Sequence, residues 1–464
     1  MSRPNVLLIV LDAVRKDHLG PYGYDRPTTP NLDEFAIEAT VYDHAVAAAP
    51  WTPSSHGAMF SGQYPSTSGI YGRTPQYGES TPHVAELLGD RGYRTLGFSN
   101  SYHTGPERGF DRGFDYFHDI LSLPRLAGTM YELSVDFARH VVDYALRDYD
   151  DSSFQSRRLR TQLDGGEDPF FGFINFNSAH SPYDPPDEFK TEFEAYFDAW
   201  DAVDEDAARA ASEDAYRAML GAVSVSETEW DLIRCWYDGE IRYLDHLLGE
   251  LFGFLRERNL YDDTAVVVTA DHGEQFGEEG LVYHQFTLAE RLINVPLLVK
   301  WPDGVEPDVS GGTGDTDADG HVDDLVSLVD LAPTAIDLAG VDVPAAMDGR
   351  SLVGDPAPEY VFAEYAGPNQ SIRERFRERG EEFERYLRGL QAVRTREDKL
   401  VRATDGEETL YELGDLTEHP VTDDDRRAEL AAVLDEHLDP PPTEDTDGEV
   451  ADHVADHLEE MGYM

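Results

Sequence analysis

Short uninterrupted apolar runs recur along the chain: Asn5 to Leu11 (NVLLIVL), Arg94 to Ser99, Phe170 to Phe176 (FFGFINF), Thr264 to Ala270 (TAVVVTA) and Val295 to Lys300. Runs of this length without polar alternation suit parallel strands buried on both faces. Between them lie helical patterns. The clearest spans Thr228 to Asn259, where Ile233, Tyr237, Ile241, Leu244, Leu248, Leu251 and Leu255 recur every three or four residues. Strands alternating with helices predict an α/β fold, a large mostly parallel sheet flanked by helices, in which ligands bind beyond the carboxyl ends of the strands.

Two stretches break this rhythm. Pro302 to Asp324 is rich in Asp and Gly, and its Asp315-x-Asp317-x-Asp319-Gly320 is like the start of a calcium loop, but Val326 stands where a closing bidentate Glu is needed, so the stretch reads as a solvated loop. From Ala346 the pattern changes to short strands at Tyr360 to Tyr365, Gln391 to Arg396 and Leu400 to Ala403 and a closing helix at Arg426 to Leu438. The predicted organisation is a domain over residues 1–345, a smaller C-terminal α+β subdomain over 346–440, and a partly mobile acidic tail over 441–464. No internal repeat is visible.

Charge changes the picture of the solvent rather than of the fold. The 464 residues carry 93 acidic side chains against 37 Lys and Arg, a formal net charge of −56, and lysine occurs only at Lys16, Lys190, Lys300 and Lys399. With 40% hydrophobic and 11% aromatic residues the chain has enough apolar material for a sizeable core, which excludes generic disorder. It also argues against binding nucleic acid through a basic face. Acid excess over the whole length is the composition of a halophilic protein, because at about 1 M salt the Debye length shrinks to about 3 Å and self-repulsion is screened. The single cysteine, Cys235, rules out an intrachain disulfide and falls in the long helix as a packing residue. No apolar run is long enough for a membrane span or signal core, so a cytoplasmic protein is expected.

Candidate chemistry sits where strands end. Asp12 follows the first run, and Asp271-His272 follow TAVVVTA. Acids at the tips of parallel strands converge at one sheet edge, where a divalent cation is held; singly, each is as well read as a helix cap or turn former.

The ordered segments NVLLIVLDAVRKDHLGPYGYDRPTTPNLDEFA, APWTPSSHGAMFSGQYPSTSGIYG, GYRTLGFSN, FFGFINFNSAHSPYDPP, the stretch from WYDGEIRYLDHLL to TADHGEQFGEEG, HQFTLAERLINVPLLVKWP and LVSLVDLAPTAIDLAG resemble the sulfatase family of the alkaline phosphatase superfamily over nearly the whole chain. The resemblance implies a metal-dependent hydrolase of sulfuric or phosphoric esters, acting on a small-molecule or glycan ester. It implies that Asp12, Asp271 and His272 bind one divalent metal ion (Ca, Mn, Mg or Zn), with Ala13 where many members have a second acid. The nucleophile position falls on Thr52; members oxidise a Cys or Ser there to formylglycine within Cys/Ser-x-Pro-x-Arg, whereas this chain reads Thr52-Pro53-Ser54-Ser55-His56. His180 matches the histidine that contacts the anionic group, His284 the one near the leaving group, and His56 occupies the usual Arg position. Arg15 is a candidate substrate contact or a helix-surface ion-pair partner.

Thr52 changes the expected mechanism. A metal-activated threonine without formylglycine must release its covalent ester to water, which is easier to defend for phosphorus than for sulfur. Phosphoryl transfer to another alcohol, and a non-catalytic anion- or glycan-binding protein on a degenerate hydrolase fold, are the alternatives. Specificity is expected in the irregular segments Asp119 to Asp168, Pro186 to Ser226 and Pro368 to Leu390.

Overall fold

The computed structural model describes residues 3–71, 76–99, 101–119, 151–166, 169–307, 320–368, 370–377, 381–414 and 416–439. The Asp315–Asp319 stretch and the 441–464 tail lie outside the described residues, as does most of the 119–168 segment.

The apolar runs form the centre of a nine-stranded mixed sheet. Strand β1 (Asn5–Leu11) lies between β5 (Phe170–Phe176) and β6 (Thr264–Thr269), parallel to both. Beyond β5 come β3 (Arg94–Ser99) and β4 (Tyr116–Asp119), also parallel. All of β1, β5 and β6 is buried, as expected of strands covered by helices on both faces.

The other side of β6 departs from the expected parallel order. Leu297–Lys300 (β8) runs antiparallel to β6, so the Val295–Lys300 run is a strand but not a parallel one. An apolar run reports burial, and burial is the same in either direction. Thr40–Val46 (β2) pairs antiparallel with β8 and with Asn294–Val295 (β7), and parallel with His321–Ser327 (β9). The last residues of the expected Pro302–Asp324 loop are therefore the start of β9, and Val326 is a buried sheet residue.

The long amphipathic helix spans Glu227–Glu257, its start fixed by a capping box between Ser226 and Glu229. Cys235 is buried on it, as expected. The segment 186–226, expected to be irregular, contains helices at Asp187–Glu194, Glu205–Glu213 and Tyr216–Met219. A second, antiparallel sheet holds β10 (Val361–Tyr365), β11 (Leu390–Arg394), β12 (Asp398–Ala403), β13 (Glu408–Leu413) and β14 (Glu418–Val421) in sequence order. The Asp424–His437 helix packs on it. The α/β architecture with a C-terminal α+β part is as the pattern predicts, with β13 and β14 added.

Candidate active site

The parallel registers bring three polar tips together. Leu11 pairs with Phe176, and Val10 pairs with both Asn175 and Thr269, so Asp12, Asn175 and the Asp271-His272 pair emerge at adjacent carboxyl ends. One ligand atom from each of Asp12, Asp271 and His272 lies within 4.8 Å of the others, and all three side chains are fully buried. Asn175 Nδ2 donates to Asp12 Oδ2 at 3.2 Å. The turn after Asp12 is held at Ala13, which has φ of +60°; its N–H donates to Asp271 Oδ1 at 3.2 Å and its carbonyl accepts from Tyr237 Oη at 2.7 Å.

His272 has its tautomer set by the backbone. Its Nδ1–H donates to the Gly273 carbonyl at 2.9 Å, leaving Nε2 as the lone-pair atom, 3.4 Å from Asp271 Oδ2 and 3.9 Å from Asp12 Oδ1. Gly273 is required here: a Cβ would sit 1.9 Å from the Arg291 carbonyl oxygen.

Thr52 is the first residue of the Thr52–Ser61 helix, where the backbone N–H groups favour negative charge. Its Oγ1 lies 3.2 Å from His272 Nε2, so the nucleophile candidate faces the metal-ligand cluster. Ser55 Oγ donates to the Asp271 carbonyl at 2.7 Å and ties this helix to the tip of β6. One turn on, His56 Nδ1–H donates to the Thr52 carbonyl at 2.9 Å. Burial pulls the His56 pKa down to about 4, so this residue is neutral and does not replace an arginine's charge.

After His272 the chain leaves and returns as an irregular hairpin. Gly273 N–H bonds Leu292 O, Gln275 N–H bonds Tyr283 O and Gly277 N–H bonds Leu281 O. The return lays the His284 ring on His272, with centroids 4.2 Å apart, and His180 packs against His284 at 5.1 Å. Three of the expected histidines therefore form a row beside Thr52. Burial, then the neighbouring histidine charges, hold His272 and His284 well below the usual imidazole range.

Arg15 is buried; its guanidinium pairs with Asp17 at 2.7 Å and Glu278 at 2.6 Å and reaches the Glu274 carbonyl at 3.3 Å. Glu274 was not singled out from sequence. It is fully buried, 3.4 Å from His284 Nδ1, and accepts from Tyr183 Oη at 3.2 Å. Burial raises it to about 7. Asn175 was missed too, although a lone amide inside FFGFINF was a visible signal.

The donor set fits a divalent cation. Asp12 Oδ1 and Asp271 Oδ2 are buried without a hydrogen-bond partner. Burial raises both carboxyl pKa values, Asp271 further because of the Asp12 charge. Two desolvated carboxylates at one point are stabilised in their ionised form by a positive charge. Among the described residues Asp12, Asp271 and His272 are the cluster able to supply it a site. Mixed oxygen and nitrogen donors admit several metals.

A mixed, mostly parallel sheet that gathers a candidate metal-ligand cluster and a helix-borne hydroxyl at its strand tips has the layout of a metal-dependent hydrolase. The sulfatase family model matches residues 4–341, so the chain belongs to that family and is a sulfatase-like ester hydrolase. A second model, for the C-terminal part of N-sulphoglucosamine sulphohydrolase, matches residues 277–440. The chain is 27% identical over 411 residues to a choline-sulfatase of Rhizobium meliloti, covering 80% of this chain and 77% of the relative. It is 25% identical over 396 residues to an arylsulfatase of Clostridium perfringens, covering 75% and 78%. Its fold resembles the phosphonate monoester hydrolase of Agrobacterium radiobacter, with a TM-score of 0.70 at 21% identity over 95% of this chain and 97% of the other. Among the described residues no helix is long and apolar enough to cross a membrane.

Proposed function

We propose that the protein is a metal-dependent hydrolase of sulfuric, phosphoric or phosphonic monoesters in which unmodified Thr52 is the nucleophile. The observation that carries this reading is the 3.2 Å approach of Thr52 Oγ1 to His272 Nε2 at a helix N-terminus. A divalent ion held by Asp12, Asp271 and His272 would supply Lewis acidity, lowering the pKa of a nearby hydroxyl and offsetting charge on the ester's oxygens.

Thr52 Oγ–H gives its proton to solvent as the oxygen bonds to phosphorus or sulfur. The bond from that centre to the ester oxygen breaks, and His284, which takes up the released proton in the field of the bound anionic ester, passes it to the departing oxygen. His180 donates to a non-bridging oxygen. Water then attacks, the bond to Thr52 Oγ breaks, and the hydroxyl is restored. Because threonine cannot become an aldehyde, release depends on that external water. This favours phosphorus esters, and the sulfatase relatives keep sulfate esters in the comparison.

The test is turnover of aryl sulfate, phosphomonoester, phosphonate monoester and phosphodiester substrates in molar KCl with manganese, calcium, magnesium or zinc. Thr52→Ala should lose roughly 10³-fold or more of the activity, and the mass of the peptide carrying residue 52 should be that of plain threonine. Equal rates in parent and variant would sink the reading. The net charge of −56 further supports work at high salt; activity should rise from dilute buffer to molar KCl, and a flat profile would refute this.

A further inference from the structure

The hairpin that carries His284 is strained on both sides of it. Tyr283 and Phe286 have φ of +59° and +76°, a strained region that aromatic L-residues rarely adopt. Such a conformation persists only where the surroundings over-determine it, so something outside the hairpin must hold it. The packing names the holder. Phe376, on the Gln370–Arg377 helix between β10 and β11, is fully buried with its ring 5.2 Å from Phe286 and 6.1 Å from Tyr216. Tyr216 in turn lies 4.8 Å from Tyr283, whose Oη accepts the Ala215 N–H at 3.3 Å. Arg375 fastens the two supports to each other by pairing with Asp214 at 3.0 Å.

We propose that Phe376 is a positioning residue: with Tyr216 it clamps the strained Tyr283–Phe286 turn and thereby fixes His284 against the leaving group. The part of the chain that belongs to the second sheet thus sets leaving-group chemistry in the first. This rests on the reading of His284 as the donor to the departing oxygen. A donor matters most for a poor leaving group, so a displaced His284 leaves a signature that general destabilisation does not.

The experiment compares phenyl and 4-nitrophenyl esters of whichever acid the parent hydrolyses. Phe376→Ala should lose about tenfold more kcat on the phenyl ester than on the nitrophenyl ester, and Phe376→Leu, which keeps apolar volume, should recover most of that difference. Equal losses on the two esters, or none, would overturn the proposal. If Phe376→Ala does not fold, the smaller truncation Phe376→Val takes its place: a lowered phenyl-to-nitrophenyl ratio supports the clamp and an unchanged ratio overturns it. Amide hydrogen exchange over the 281–287 peptide reads the clamp without turnover. Exchange should quicken in either folded variant, and unchanged exchange refutes the clamp even if the parent cleaves neither ester, an outcome that would count separately against the hydrolase reading.

Discussion

Among the described residues, two of the places that bury carboxylates completely treat them in opposite ways. At the strand tips Asp12 and Asp271 face each other with histidines, and among the described residues no lysine or arginine, as ion-pair partners, and burial raises both pKa values. Where the two sheets meet, Glu290 is equally buried, but Arg394 reaches its Oε2 at 3.0 Å and Lys399 its Oε1 at 3.1 Å. There burial works upward too, and the Arg394 and Lys399 charges overcome it, holding Glu290 at about 2. Lys399 also pairs with Glu418, so two acids and two bases close the network. The difference separates structure from function. In this pair of places the acid that ties the sheets together has its cations in the chain, and the acids without one are available to a cation from solution.

The largest expected effect tests the self-sufficient side. Glu290→Gln leaves Arg394 and Lys399 desolvated with one charge uncompensated, which should cost about 3–5 kcal/mol of stability in denaturant unfolding. The acid branch has a defined sign. Glu290 has a folded pKa depressed below the ordinary 4.5, so its contribution is complete above pH 4.5 and is lost as pH falls toward 2. The parent should lose stability across that window, and Glu290→Gln should lose distinctly less. Parallel acid curves would show that the network contributes nothing.

That network was not legible in the sequence. Glu290 lies 104 residues from Arg394 and 109 from Lys399, and in a chain so rich in acid a single Glu reads as solvated surface. The central strands were legible because both faces are buried, which leaves a continuous apolar run. Thr40–Val46 was not, because TVYDHAV puts Asp43 and His44 at partly exposed positions that pair with His321 and Asp323. The direction of β8 depends on where its neighbours lie, which no local pattern encodes. Asp12, Thr52, His180, Asp271, His272 and His284 were legible as candidates because each closes or follows a recognisable segment in a fixed order. Glu274 and Tyr183 meet each other and His284 only through folding, and so stood out in neither composition nor spacing.

A smaller effect of opposite sign tests the other side. In chelated protein Asp271→Asn removes the repulsion and desolvation of a second buried carboxylate, and should raise stability by about 1–2 kcal/mol. With manganese or calcium restored the order should reverse, because the variant has lost a ligand and the parent gains binding energy. A variant less stable than the parent under both conditions would mean that the pair at the strand tips is satisfied without a cation, and the contrast between the two regions would collapse.

The smallest effect sharpens the contrast at Ala13. This residue occupies the left-handed region, where Asp and Asn are better tolerated than Ala, and it directly follows Asp12 at the tip of β1. Ala13→Asp adds a third carboxylate beside the cluster without asking the backbone to move. Ala13→Asn serves as a control that keeps the shape and the backbone preference but not the charge. If the site's affinity is limited by ligand charge, Ala13→Asp should tighten calcium or manganese binding by about tenfold in a titration calorimeter, with Ala13→Asn near the parent. The same variant, chelated, should be less stable than the parent, because three buried acids then share no cation. Tighter binding by both variants would instead assign the gain to relief of backbone strain at residue 13, and charge would cease to explain why the strand-tip acids were left unpaired.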